Sequence, residues 1–256
     1  MRLTVLGTST PYPRPGNACS GYLLQSDAAP GERPTSVWID AGTGTLAELQ
    51  RHLPPADLDA IWISHRHADH TADLLVAYYA LRFAERRAEH PIPLIGPEGL
   101  LERMAGFLGP NSVDELPRVF EVQEMSGWGE REVGGLRLEW GPVQHGVPAF
   151  GLAVSDGSTR FAYSGDSAPC TSLEELAEGA GTLLVEAGYD EAPPRGDAPA
   201  HHTPEDAGRT ASAAQVSRLL LTHIAETVTM AAAVTRASTH FSGETVAVAP
   251  GDVLAV

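Results

Sequence analysis

The 256-residue sequence predicts an α/β fold of two mixed β-sheets with helices on their outer faces. Two observations point there. Short apolar strand-like runs crowd the first half, whereas in the second half such runs alternate with helical stretches. The rival, a single doubly wound parallel sheet, lacks its sequence marks. AGTGT at 41–45 is not GxGxxG, and no Walker GxxxxGK[ST] occurs.

Residues 2–6 (RLTVL), 21–25 (GYLLQ) and 36–39 (SVWI) read as strands. The third ends at Asp40, and the glycines of AGTGT allow a tight turn into a helix near 44–52. DAIWIS, 59–64, is a short buried strand. A helix follows over 71–87, then a proline-bounded strand at 92–95 and a helix over 97–108. The stretch 109–135 is rich in Gly, Pro and acidic residues and gives no clear pattern. Strands return at 136–140, 149–154 and 160–163. A helix near 172–178, a strand at 182–186, a helix over 204–214, a strand at 217–221, a helix over 226–239 and a strand at 245–249 complete the chain. No internal repeat or low-complexity segment interrupts this order, and one compact domain over 1–256 is expected.

Composition excludes several classes of function. No run of roughly 18 apolar residues exists, so no membrane helix is expected. MRLTVLGTST enters a strand directly, without the regions of a signal peptide. Cys19 and Cys170 are too few for a disulfide scaffold and wrongly spaced for a cysteine zinc site, which fits a cytoplasmic location. The net charge of -16 repels polyanions, so no stable nucleic-acid partner is expected. The best basic cluster, ALRFAERRAEH at 80–90, reads first as a solvated helix face. A small-molecule substrate is the expected partner, and a homodimer is left open.

The chemistry is concentrated in HRHADH, residues 65–70, directly after the 59–64 strand. His65 and His67 are two apart, so an extended backbone points them the same way. Asp69 and His70 face a second point as the chain turns toward its helix. One loop can thus serve two metal positions. Other candidates stand at strand exits: His145 in GPVQHGVPAFG, Asp166 in FAYSGDSAPC and His223 in RLLLTHI. Ligand count divides them into His65, His67 and His145 for one ion and Asp69, His70 and His223 for another, with Asp166 between. Two zinc ions suit imidazole and carboxylate ligands, and manganese or iron is also compatible. Water between two such ions would be a nucleophile at neutral pH.

These residues resemble the metallo-beta-lactamase superfamily. HRHADH matches its HxHxDH motif, and the pattern continues through His145, Asp166 in SGD and His223 in LTH, over nearly the whole chain. The resemblance implies an αββα sandwich with its site at one edge, a bridging Asp166, and Asp69 as both ligand and proton handler. Asp166, LLVEAGY at 183–189 and AHHTPEDAGRTASAAQVSRLLLTHI resemble the ribonuclease Z-like branch. Aligned on Thr203 and Ala207, its H-x-T-x-x-x-A motif falls on His201, implying that this residue protonates the leaving oxygen; without the alignment, His202 would serve as well.

One departure narrows the activity. Ribonuclease Z enzymes carry a long tRNA-gripping arm, yet Asp166 stands only 21 positions after His145. YSGDSAPC and the GLAV strand resemble compact bacterial proteins related to class II cyclic-nucleotide phosphodiesterases. The expected reaction is hydrolysis of a small phosphodiester, foremost a 3',5'-cyclic nucleotide. The alternatives are hydrolysis of a thioester, lactone, ester or amide, and tRNA 3' processing. A structural subunit with a decayed site would have lost ligands, and all seven positions are filled. Asp40, Glu186 and Glu205 are candidates to orient ligand imidazoles. Tyr78, Tyr79, Phe150 and Tyr189 are core residues in the first instance, and pocket-lining in the second.

Overall fold

The computed structural model describes residues 1–28, 31–193 and 198–256. The first part of the chain forms strands β1 (Arg2–Ser9), β2 (Ala18–Cys19), β3 (Gly21–Gln25) and β4 (Ser36–Ile39), then helix α1 (Thr45–Leu49). Strand β5 (Ala60–Trp62), helix α2 (Ala68–Phe83), strand β6 (Ile92–Pro97) and helix α3 (Leu100–Leu108) follow. Next come β7 (Phe120–Met125), β8 (Gly129–Val133), β9 (Leu136–Val143), β10 (Ala149–Ser155) and β11 (Arg160–Tyr163). The chain ends with α4 (Thr171–Ala177), β12 (Thr182–Glu186), α5 (Pro204–Ala213), β13 (Arg218–Thr222), α6 (Met230–Ala237), β14 (Glu244–Ala247) and β15 (Val253–Ala255).

Among the described residues these strands form two sheets. One has the order β15-β1-β3-β4-β5-β6-β7, with β2 paired to β1; the other runs β14-β13-β12-β11-β10-β9-β8. Strands β4 to β7 are parallel, as are β11 to β14, so each sheet is mixed.

Side-chain alternation makes the layers. Leu24, Ile39 and Trp62 of the first sheet point inward and meet Leu152, Phe161 and Leu184 of the second. Their neighbours Leu23, Trp38 and Ile61 point outward and are covered by Leu74, Ala77 and Leu81 of α2 and Met104 of α3. On the far side, Leu183 and Leu219 are covered by Ala207 and Ala211 of α5 and Ala233 of α6. Strands buried on both faces need apolar residues at nearly every position, which is why SVWI, TLLVE and RLLLT read as unbroken runs. The result is the αββα sandwich.

The sequence expectations differ from the structure at a few places. Helix α2 starts at Ala68, so Asp69 and His70 lie in its first turn instead of in a preceding loop. The last helix begins only at Met230, where the Thr229 hydroxyl accepts from the Ala232 amide and caps it. The unreadable middle contains β7 and β8. Strand β15 has no patterned run of its own and pairs antiparallel with β1. Both cysteines are free. No helix among the described residues is long and apolar enough to cross a membrane.

Gly42 fixes how closely α2 approaches the first sheet. A Cβ built there would lie 2.1 Å from the Asp69 carbonyl oxygen and 2.7 Å from that of Ser20. Gly42→Ala must therefore push the turn carrying Asp69 and His70 outward. Denaturant unfolding is expected to show a loss of about 1–3 kcal/mol, and metal analysis a reduced content. Unchanged stability would mean that the turn moves freely.

Candidate metal centre

The site lies where the parallel strands end. Asp40 follows β4, the HRHADH run follows β5, His145 follows β9, Asp166 follows β11, Glu186 closes β12 and His223 follows β13. Carboxyl ends of parallel strands gather on one sheet edge, leaving their loops free to carry chemistry. The two sheets are tied together here: the Phe150 amide donates to the Ser64 carbonyl at 3.0 Å, and His65 bridges to Ala149. Asp40 and His223 adopt left-handed backbone, with φ of 53° and 47°. Such conformations are uncommon outside glycine and concentrate where the surrounding fold fixes a functional side chain.

Two donor groups match the expected ligand sets: His65, His67 and His145 make one, and Asp69, His70, Asp166 and His223 the other; His201 also converges with His145 and Asp166, and with Glu186 and His223. In the first, His67 Nδ1 is 3.0 Å from His65 Nε2 and 3.1 Å from His145 Nε2. In the second, His70 Nε2 is 3.3 Å from Asp166 Oδ1, while His223 Nε2 is 3.4 Å from Asp69 Oδ2 and 3.5 Å from Asp166 Oδ2. Asp166 also reaches to 3.8 Å from His65 Nε2, so it stands between the groups.

Partners behind the imidazoles set their tautomers. His65 Nδ1–H donates to Ser64 Oγ at 3.0 Å, His145 Nδ1–H to the Ala200 carbonyl at 2.8 Å, and His70 Nδ1–H to Asp40 Oδ2 at 2.7 Å. The Nε2 lone pair of each then faces inward. Asp40 is fully buried and also accepts from the Ser64 amide, the Ser64 hydroxyl and the Tyr163 hydroxyl. Ser64 and Tyr163 escaped the sequence reading because only the folded chain brings them to Asp40.

A divalent cation fits this arrangement on three grounds. Three ring nitrogens converge at spacings near the roughly 3.3 Å edge of a tetrahedron with Zn–N bonds of about 2.0–2.1 Å, and a single proton cannot satisfy them all. His70 Nε2 and Asp166 Oδ1, which face the cluster, are buried without a hydrogen-bond partner. Asp40, Asp69, Asp166 and Glu186 are all buried, and their ion pairs among the described residues are with histidines alone. So much buried negative charge calls for cations.

The protonation directions agree at the first group. Burial, then the charge of His70, hold His65 well below the ordinary histidine range, and burial with His145 lowers His67. Both present lone pairs. At the second group burial opposes charge on His70, but Asp166 and Asp40 outweigh it and hold its pKa well above the usual value, so the carboxylates call for positive charge at Nε2 that either a proton or a cation supplies. Burial likewise opposes ionisation of Asp166, yet His223 and His70 keep it well below the carboxylate range.

The structure brings all seven ligand candidates together and separates the two adjacent histidines. His201 Nδ1–H donates to Glu186 Oε1 at 2.8 Å and lies 4.0 Å from Asp166 Oδ2. Burial works against its protonation, but the Glu186 hydrogen bond and charge push the pKa up to about 9. His202 faces the other way and is fully buried; its Nδ1–H donates to the Ser167 carbonyl at 2.5 Å and its Nε2 accepts from the Thr210 hydroxyl at 2.9 Å. The capping box of Thr203 and Asp206 fixes this direction as the chain enters α5.

Of the three orienting candidates, Asp40 contacts His70 and Glu186 contacts His201, but Glu205 does not reach the site. It pairs with Arg236 at 2.8 Å, joining α5 to α6. Tyr189 packs edge-on against His201 with ring centroids 5.0 Å apart. Tyr78 and Phe150 are buried, whereas Tyr79 is exposed on α2 and is not a core residue.

A four-layer sandwich with this donor cluster on its edge defines a metallo-hydrolase of the metallo-beta-lactamase fold. The chain belongs to the beta-lactamase superfamily: the sequence pattern of the Beta-lactamase superfamily domain matches residues 35–224. The uncharacterized protein ML1173 of Mycobacterium leprae is 32% identical, covering 98% of this chain and 87% of that protein. Ribonuclease Z of Mycolicibacterium gilvum is 30% identical over 89% of this chain and 85% of its own length. The crystal structure of the metallo-beta-lactamase fold protein YhfI from Bacillus subtilis superposes with a TM-score of 0.84 at 27% identity, covering 99% of this chain and 98% of that one.

Proposed function

We propose that the protein is a two-zinc hydrolase of small phosphodiesters, with 3',5'-cyclic nucleotides its preferred substrates. The observation that carries this reading is the His201–Glu186 pair beside Asp166. Glu186 holds the Nδ1 proton, so Nε2 is free to hold the proton that a departing ribose oxygen requires. An alkoxide is a poor leaving group, and a positioned imidazolium answers that need. His65, His67 and His145 would hold one ion, and Asp69, His70 and His223 the other, with Asp166 shared. The ions, when bound, supply positive charge for the phosphoryl oxygens and acidify water. Asp69, also a ligand, orients the attacking water and takes its proton.

The ribonuclease Z relative supports phosphodiester bonds as the class cleaved. Small substrates are favoured by the stretch between His145 and Asp166, where β10 and β11 form a plain hairpin turning at residues 156–159. That hairpin offers no arm for a folded RNA. The charge of -16 further disfavours a polyanion.

One panel tests the reading: cAMP, cGMP, a bis-aryl phosphate, an acyl thioester, a homoserine lactone and a precursor tRNA, each with zinc-loaded protein and with chelator. Chelator-sensitive turnover of the cyclic nucleotides and the aryl diester is expected, together with about two zinc ions per chain. Turnover of the thioester or lactone alone would end the phosphodiesterase reading. Efficient tRNA trimming would overturn the small-substrate argument.

A further inference from the structure

Two cavities flank the donor cluster, and they differ in the state of their arginine. On the His223 side, Arg14 is paired with Glu226 at 2.7 Å. On the His145 side, a cavity of about 760 Å³ is lined by Arg66, Glu98, Met125, Val143, Pro148 and Phe150, among others. Arg66 stands between ligands His65 and His67 in the chain, and Pro148 lies three residues after ligand His145, so the cavity lies beside the cluster on the same strand-end edge, although no ligand side chain forms part of its wall. Among the described residues neither Arg66 nor Glu98 has a hydrogen-bond or ion-pair partner, although the two line one space. The Arg66 guanidinium is held against the wall at Gly99, where a Cβ would come 3.0 Å from Nη1.

We infer that this cavity is a guanine-binding subsite, with Arg66 and Glu98 reading the two adjacent polar edges of the base. The inference rests on the phosphodiester reading of the adjacent cluster. Its chemistry follows from the lining. A guanidinium fork offers two coplanar donors, and guanine presents two adjacent acceptors, O6 and N7. A carboxylate only accepts, and the other edge of guanine presents N1–H and N2–H donors. Adenine pairs an acceptor at N7 with a donor at N6 and cannot satisfy the fork. Apart from Ser126 and two glycines, the remaining walls are apolar side chains suited to a flat ring. A second phosphate would meet Glu98 and those walls, which argues for a neutral base as the occupant.

The test is calorimetric titration of zinc-loaded protein with GMP, AMP and ribose 5-phosphate, alongside kcat/KM for cGMP and cAMP. GMP is expected to bind more tightly than AMP by roughly 5- to 150-fold, the range for one bidentate arginine contact. Arg66→Ala and Arg66→Lys should both erase that preference, because lysine keeps the charge but loses the fork. Glu98→Gln should reduce it. Equal binding of GMP and AMP by the wild type, or a preference surviving in Arg66→Lys, overturns the subsite. The two readings fail separately. An Arg66-dependent GMP preference without cyclic-nucleotide turnover keeps the subsite and sinks the phosphodiesterase. Turnover without base preference does the reverse.

Discussion

His201→Ala is expected to lower turnover of a cyclic nucleotide by about 10²- to 10⁴-fold while leaving the zinc content unchanged. His201 converges with His145 and Asp166 and with Glu186 and His223, but Glu186 holds its Nδ1 and both ions have their ligands without it, so its removal takes away a proton and not a metal. An activated aryl phosphodiester should lose far less, because its phenolate leaves without help. Steady-state kinetics on both substrates, with metal analysis of each preparation, check this. Equal losses on the two substrates would turn His201 from a proton donor into a binding residue. His202→Ala supplies the contrast. It empties a buried position between the Ser167 carbonyl and the Thr210 hydroxyl, so about 1–3 kcal/mol of stability should go with little change in turnover per folded molecule. If the two variants exchanged these effects, the assignment within the pair would be reversed.

The contrast shows what a linear sequence can carry. His201 and His202 are adjacent and chemically identical, and only the Thr203–Asp206 capping box, which fixes how the chain enters α5, separates their roles. The ligand set was easier to read. Four of its members are compressed into 65–70, and the other three stand directly after apolar strands whose ends must share an edge. Strand positions were legible for the same reason: SVWI, RFAY and TLLVE carry apolar residues on successive positions because helices or the opposite sheet cover both faces. Strands β7 and β8 lack that signal, since exposed Glu121, Glu124 and Glu130 break their apolar pattern. Glu205 shows the limit of placing carboxylates by chain position. It lies two residues beyond Thr203, yet the first turn of α5 directs it to Arg236. The partners of Asp40 were invisible because Tyr163 lies 123 positions away along the chain.

That network yields the largest stability effect expected in the molecule. Asp40 is fully buried, and its two oxygens accept from four donors. Oδ1 takes the Ser64 amide at 2.8 Å; Oδ2 takes His70 Nδ1 at 2.7 Å, the Ser64 hydroxyl at 2.9 Å and the Tyr163 hydroxyl at 2.8 Å. Asp40→Ala strands all four and places alanine at a left-handed φ of 53°. Breaking such a buried charged network costs about 3–5 kcal/mol. His70 would also lose the partner that fixes its tautomer, so metal affinity should fall by about 10- to 100-fold. Asp40→Asn separates the two effects. Asparagine tolerates left-handed backbone, and its carbonyl can take the place of Oδ2 and keep three donors, leaving the amide group against the Ser64 N–H alone. A milder loss of about 1–3 kcal/mol is therefore expected, with His70 still oriented and metal retained better than in Asp40→Ala. Denaturant unfolding and competition with a zinc chelator measure both quantities. If Asp40→Ala bound zinc as tightly as the wild type, His70 would be held by its place in α2 alone, and the hydrogen bond from Asp40 would serve the fold without serving the metal.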